Sequence, residues 1–253
     1  MRLTRFGRIL GGLCVLAAPF VSASTAAAVP LIDPTATFCQ TNYLISEAVD
    51  GNTADTLNNG WAIFPNVGQN FTAVFKLDNG DELGEAAGVQ LTFQFNMLYP
   101  DTHSLGKFRL SATTSNRSTF GQGSMCTDAN PGGTATWTVL MPDSLSSLNG
   151  QTLTVQPDGS ILASGANPLT DIVTFQVTSA LRRITGFRLE ALSDASFPSG
   201  GPGRASNGNF VLTELVLEAD ERVGAPALGS WAMAFMALLL AGAGMFWRRQ
   251  RAA

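Results

Sequence analysis

Asp50-Gly51-Asn52-Thr53-Ala54-Asp55 packs two acids and an amide around a glycine within one short segment. A loop of that kind turns sharply and can present several side-chain and carbonyl oxygens to a hard cation, and calcium takes about six to eight such ligands. The competing reading is an Asx-type turn that needs no metal. A second group, Tyr99, His103 and Arg109, falls in or beside the run Tyr99-Pro100-Asp101-Thr102-His103. An aromatic platform with a few polar groups in a shallow concavity is what a sugar site requires. The competing reading is that Tyr99 and His103 tie their own loop down. Asp81, Glu82 and Glu85 form a third group. Glycoside cleavage needs two carboxylates facing each other across a bond, whereas these three share one turn and read as a solvated acidic face. His103 is the only histidine and no Cys-x-x-Cys spacing exists, which argues against structural zinc and a histidine-based triad. No nucleophile elbow or phosphate loop is present either. The chemistry on offer is therefore binding, not catalysis.

The elements that must position these groups read as strands. Period-two alternation of apolar residues recurs at 71–77, 89–98, 107–114, 135–141, 151–156, 160–164, 171–179, 184–192 and 210–219. These runs are rich in Val, Thr, Phe and Leu, as half-buried strands are. Turn-forming clusters separate them: 78–85, 130–133 and 157–159. Frequent punctuation of this kind predicts an all-β, antiparallel sandwich. Trp61 and Trp137 sit in apolar runs and are expected to fill the core. The Gly-, Pro- and Ser-rich stretch 196–209 is either a functional loop or an ordered connection. Segments 106–114 and 185–193 look alike (GKFRLSATT and TGFRLEALS), as two similar strands would.

Both ends of the 253-residue chain differ from this body. Arg2, Arg5 and Arg8 precede an apolar stretch from Ile9 to Val21 and then small residues, the plan of a secretory signal peptide over 1–28, with cleavage after Ala23 or Ala28. An uncleaved anchor helix is the alternative. Cys14 follows Leu13, where a lipid-attachment signal needs a small residue. Leu228 to Trp247 carries no charge, and Arg248, Arg249 and Arg251 follow. A run of about 20 apolar residues suits one transmembrane helix, and the arginines hold its end on the cytoplasmic side. Between the ends lie nineteen acids and nine basic residues, a net charge of −10. That balance argues against nucleic acid as a partner, since phosphate binding needs clustered Lys and Arg, and suits a soluble, exported body. Cys39 and Cys126 remain there, and an oxidising compartment permits a disulfide between them without requiring one.

Two stretches resemble a known family. EAVDGNTADTLNNGWAIFPNVGQNFTAVFKL with LTFQFNMLYPDTHSLGKFRLSATT is the first, and WTVLMPDSLSSLNGQTLTVQPDGSILASG with ITGFRLEALSDASFPSGGPGRASNGNFVLTELVLEA is the second. Both are similar to the discoidin-like, galactose-binding-type β-sandwich regions appended to large bacterial surface cytochrome-type proteins. The segments stand here in the opposite order. One sandwich and two paired halves, 36–117 and 134–220, both stay open within the body 29–221. The resemblance implies a jelly-roll, a non-catalytic binding role, and a structural calcium at Asp50, Asn52 and Asp55 with Glu214 as the acid from the last strand. The C-terminus, APALGSWAMAFMALLLAGAGMFWRRQR, resembles the IPTL-type relatives of the PEP-CTERM sorting tail, with Pro226 and Trp231 as its motif and residues 222–253 as its extent. That resemblance implies export through the secretion translocon, transient anchoring in the inner membrane, recognition by an exosortase-type protease, and release or transfer to the cell surface.

These readings converge on an exported surface or matrix protein that binds glycan or exopolysaccharide. A purely structural surface module and, third, a hydrolase are the alternatives.

Overall fold

The computed structural model describes residues 26–53, 57–78, 80–85 and 88–221. They form an antiparallel β-sandwich. One sheet runs in the order β1 (Ala27–Ala28), β14 (Glu214–Glu221), β5 (Val89–Met97), β11 (Asp171–Ser179), β8 (Ser144–Ser147). The other runs β2 (Leu31–Ala36), β4 (Phe71–Leu77), β12 (Gly186–Ala191), β6 (Lys107–Thr113), β10 (Ile161–Gly165), β9 (Gln151–Val155), with the short β7 (Thr138–Val139) also on β6. A two-stranded ribbon, β3 (Trp61–Ala62) with β13 (Val211–Leu212), closes one end. Strands from the first and second halves of the body intermix in both sheets: β4 pairs with β12, and β5 lies between β11 and β14.

The period-two pattern fixes which side chains face inward. In β5, Val89, Leu91, Phe93, Phe95 and Met97 are buried while Gln90, Thr92 and Gln94 are half-buried on the other face. β11 repeats the alternation in register, with Phe175 opposite Phe93. The Phe93 ring meets Phe175 edge-on within its own sheet at 6.1 Å and Phe187 of the opposing sheet at 5.1 Å. Edge-to-face pairs of this kind add about 0.5–1.5 kcal/mol beyond area burial. The two look-alike strands, β6 and β12, are neighbours in the second sheet.

Three differences from the sequence expectation have physical causes. The strand expected at 135–141 shrinks to Thr138–Val139, because residues 114–143 mostly run as a strap over the outer face of the second sheet. Phe120 and Trp137 pack together there, ring centroids 5.3 Å apart, and the Arg188 guanidinium sits 5.1 Å from the Trp137 ring. Trp61 is a fully buried core residue, whereas Trp137 lies outside the sheet rather than in the core. β2 escapes the pattern because Asp33-Pro34 interrupts it: its register with β4 shifts between Ile32 and Thr35, and Asp33 has φ 44°. A bulge with proline suits an edge strand, where a missing N–H costs little and further pairing is blocked.

Of the leader expected over 1–28, only 26–28 are described. Ala27 and Ala28 pair with Ala219 and Glu218 of β14. The sorting tail, with Pro226, Trp231, Arg248, Arg249 and Arg251, lies outside the described residues, as does Asp55. No helix among the described residues is long and apolar enough to cross a membrane.

Candidate functional site

Antiparallel pairing brings Ala36, Phe71, Met97, Lys107, Asp171, Ala191 and Glu214 to one end of the sandwich. The loops 37–60, 98–106 and 192–210 therefore gather there. The long Gly/Pro-rich stretch is packed, not loose: Gly201 to Ala205 are all buried. Gly203 is required by close approach, since a Cβ there would lie 1.8 Å from the Asn209 carbonyl oxygen. Arg204 turns inward and donates to Gln151 Oε1 and to the carbonyls of Gly165 and Ala166. Gln151 in turn donates to Asp171, which is fully buried and also takes the Ser147 hydroxyl and the Asn149 N–H. This chain of polar groups ties β9 of one sheet to β11 of the other. Burial pushes the Arg204 guanidinium down in pKa, with the Asp171 charge opposing.

Glu214, the first residue of β14, is 4% exposed. Its Oε1 accepts the Gly51 N–H at 3.3 Å, and its Oε2 has no hydrogen-bond partner. Burial, more than the nearby Asp50 carboxyl, pushes its pKa up to about 7. Asp50 Oδ1 accepts the Asn52 N–H at 2.8 Å, an Asx turn, and the Asn52 carbonyl accepts from Asn59 Nδ2 at 2.8 Å. The loop is held in place at Gly60, whose φ of +97° and closeness to Leu212 leave no room for a side chain. Of the residues expected to ligate calcium, Asp50 and Glu214 thus come together from opposite ends of the body, and Asn52 flanks them. No cluster of three or more His, Cys, Asp or Glu that could hold a metal occurs among the described residues. An orphaned buried carboxylate oxygen beside a second carboxyl, with open space around Gly51, is an all-oxygen donor set that suits a hard cation.

Tyr99 and His103 also come together, edge to face at 4.8 Å. A residue the sequence reading did not single out, Tyr43, joins them: its ring meets Tyr99 at 6.1 Å and packs on Ala62 and Val211. His103 Nδ1 lies 2.8 Å from the Asp101 carbonyl oxygen. A carbonyl only accepts, so Nδ1 carries the hydrogen and, in the neutral ring, Nε2 keeps a free lone pair. Asp101 and Thr102 both have positive φ, 91° and 61°, a backbone conformation that concentrates at binding loops. Beside Tyr43 lies a shallow cavity of about 580 Å³ lined by Thr41, Asn42, Leu44, Glu47 and Asn58.

Arg109 is not part of this group, which corrects the sequence expectation. It projects from the outer face of β6, where Nε and Nη2 form a fork with Glu190 at 2.8 and 2.9 Å and Nη1 lies 3.6 Å from Asp158. Side chains at period two leave opposite faces of a strand, so its position beside the loop in sequence did not place it in the loop's concavity. The acids of the 78–85 turn do not form a facing pair either: Glu82 engages Arg183 at 2.6 Å, and Asp81 and Glu85 are exposed. Cys39 and Cys126 are bonded, S–S 2.02 Å, stapling the strap to the loop that follows β2.

Fold and site together define an all-β sandwich that carries its polar and aromatic groups on loops at one end. No family model matches the sequence, and no curated protein matches it. Among solved structures, the chain is similar to the family 32 CBM of C. perfringens NanJ in complex with galactose, at 14% identity and TM-score 0.41, over 77% of this chain and 99% of that one. It is similar also to CBM32-3 from a family 31 glycoside hydrolase of Clostridium perfringens, at 15% identity and TM-score 0.41, over 74% and 94%. A third is from the Streptococcus pneumoniae β-galactosidase BgaA, at 12% identity and TM-score 0.40, over 76% and 98%. At this level of likeness no ligand passes from those proteins to this chain.

Proposed function

We propose that this protein is an exported, non-catalytic binding module for glycan or exopolysaccharide at the cell surface, with its ligand seated at the Tyr43–Tyr99–His103 end. The observation that carries the reading is that aromatic cluster. The half-buried Tyr99 and His103 rings meet the buried Tyr43, whose chain neighbours Asn42 and Leu44 line a shallow cavity. Ring faces stack on the apolar faces of sugars, and the Asn42, Asn58 and Thr41 side chains offer donors and acceptors at their edges. Asp50 and Glu214, with Asn52 and Asp55, would hold a structural calcium that fixes the neighbouring loop and neutralises the buried carboxylate. Export would place the body outside the inner membrane, with the tail at 222–253 as the substrate of an exosortase-type protease.

Binding to purified exopolysaccharide and to a glycan array tests this. Wild-type protein should bind, and Tyr99→Ala with His103→Ala should lose about tenfold or more in affinity while keeping the same melting temperature, because truncating a few buried aromatic anchors removes most of the binding energy. Equal binding by the double variant refutes the site, no binding to any glycan favours the purely structural module, and turnover of the polymer favours the hydrolase. The mass and cell fraction of the mature protein test the sorting reading separately: full-length protein in the inner membrane means an anchor, and loss of the last ~26 residues, leaving too few to span a bilayer, means processing.

A further inference from the structure

The opposite end of the sandwich carries a different chemistry. The turn after β4, the segment after β6 and the segment before β12 enclose a cleft of about 520 Å³ lined by Glu82, Thr114, Arg117, Arg182 and Arg183, among others. Three of the nine basic residues of a body with net charge −10 converge here, against one carboxylate. Arg117 is built in rigidly. Its Nε donates to the Leu77 carbonyl at 2.8 Å, and its Nη2 donates to the carbonyls of Asp78, at 2.8 Å, and Asp81. These partners are neutral, and no carboxylate among the described residues lies within ion-pair distance of it. Arg183, held at φ 59°, is 78% exposed and forms a fork with Glu82 at 2.6 and 3.2 Å. An exposed pair of this kind is weak enough for an incoming anion to exchange with Glu82.

We propose that this cleft binds a single oxyanion group, a carboxylate or sulfate, borne by an acidic polysaccharide. Guanidinium forks match the planar or trigonal oxygens of such groups. Exposed Asp78, Asp81 and Glu85 rim the same end, so a densely charged polyanion or an anionic bilayer is repelled while one acidic group of a sparsely charged chain entering the cleft is held. The sugar as the bearer of that group rests on the glycan reading above, while the cleft itself uses other residues at the other end.

The test is calorimetric titration of the full chain, in mild detergent, with an oligosaccharide bearing a single uronic acid, its carboxyl-reduced neutral counterpart, and inorganic sulfate. The acidic oligosaccharide should bind and the neutral one should not, with affinity falling several-fold between about 50 and about 300 mM salt. Arg182→Gln with Arg183→Gln should weaken it by about tenfold. Glu82→Gln removes the competing carboxylate and should tighten it several-fold, a gain that damage to the fold would not produce and that keeps the idea testable if the arginine variants fail to fold. Tyr99→Ala with His103→Ala should leave it unchanged. Sulfate competing with the oligosaccharide places recognition on the single group, and sulfate binding as tightly as the oligosaccharide overturns the sugar source. Equal binding of the carboxyl-reduced oligosaccharide, or binding unaltered in all of the cleft variants, overturns the site.

Discussion

Replacing Glu214 by Gln is the sharpest test of the buried carboxyl pair. Glu214 titrates at about 7 in the folded protein, against about 4.3 for a free glutamate. Each step of one pH unit in that gap corresponds to about 1.4 kcal/mol, so holding this group ionised in the fold costs about 4 kcal/mol. A raised folded-state value makes the direction definite. Below about pH 4 the group is protonated in both states and costs nothing. As the pH climbs from there to about 7, the unfolded chain releases its proton while the folded one holds it, so stability falls; above about 7 the full loss is in place. A body of this size shifts its melting temperature by about 2–4 °C per kcal/mol. Between about pH 5 and about pH 8 this carboxyl should therefore lower the melting temperature of wild-type protein in EDTA by about 5–10 °C, the rest of its loss falling below about pH 5. Glu47 and other acids titrate as well, so the readout is the difference between wild type and Glu214→Gln by differential scanning calorimetry: the variant should gain stability relative to wild type as the pH rises. Calcium binds only the ionised carboxylate. It should raise the wild-type melting temperature at about pH 8, do so less at about pH 5, and leave Glu214→Gln unmoved. A pH-independent difference between variant and wild type refutes the buried protonated carboxyl. The expected pH slope with no calcium effect refutes the metal and leaves Glu214 as a buried carboxyl raised mainly by burial.

Two other outcomes follow from the geometry. The Cys39–Cys126 bond closes a separation of 87 residues, for which chain entropy predicts about 4–5 kcal/mol; reduction, or Cys126→Ser, should lower the melting temperature by about 10 °C or more, and an unchanged value would mean that the strap is held by its other contacts alone. Arg204→Ala should destabilise by about 2–4 kcal/mol, since it leaves the buried Gln151 oxygen and two carbonyls without their donor. Urea unfolding measures this, and a cost below about 1 kcal/mol would show that water replaces the guanidinium.

What could be read from the residues was decided by how locally each feature is encoded. β4 and β11 lie where the alternation put them, because period two in a half-buried strand is a local signal that burial enforces. β2 was illegible because Asp33-Pro34 breaks the alternation, and β8, Ser144-Leu145-Ser146-Ser147, because an edge strand with one apolar residue carries almost no pattern. The sites obey the same logic. Tyr99 and His103 are four positions apart in one loop, and their contact needs only that loop. Tyr43 reaches them from another loop, packed on Ala62 of β3 and Val211 of β13, a relation set by the register of those two strands that no local pattern announces. Arg109 shows the converse error, since nearness in sequence does not survive the change of face from one strand residue to the next.

The arginine cleft is the extreme case. Arg117, Arg183 and Glu82 are scattered over 101 positions between Glu82 and Arg183, and each looks in sequence like a solvated charge. Only the pairing of Leu77 with Thr185 and of Gly186 with Thr113 brings their loops to one place. A charge-based reading of the chain sees a uniformly acidic body. The fold instead sorts those charges, putting a neutralisable carboxyl pair and aromatic rings at one end and convergent guanidiniums at the other. A polymer bearing both hydroxyl faces and acidic groups would meet complementary chemistry at each end, and a strictly neutral one at only the first. The comparison of acidic and carboxyl-reduced oligosaccharides on the aromatic and arginine variants therefore decides whether one polymer can engage both ends or whether the two sites serve separate ligands.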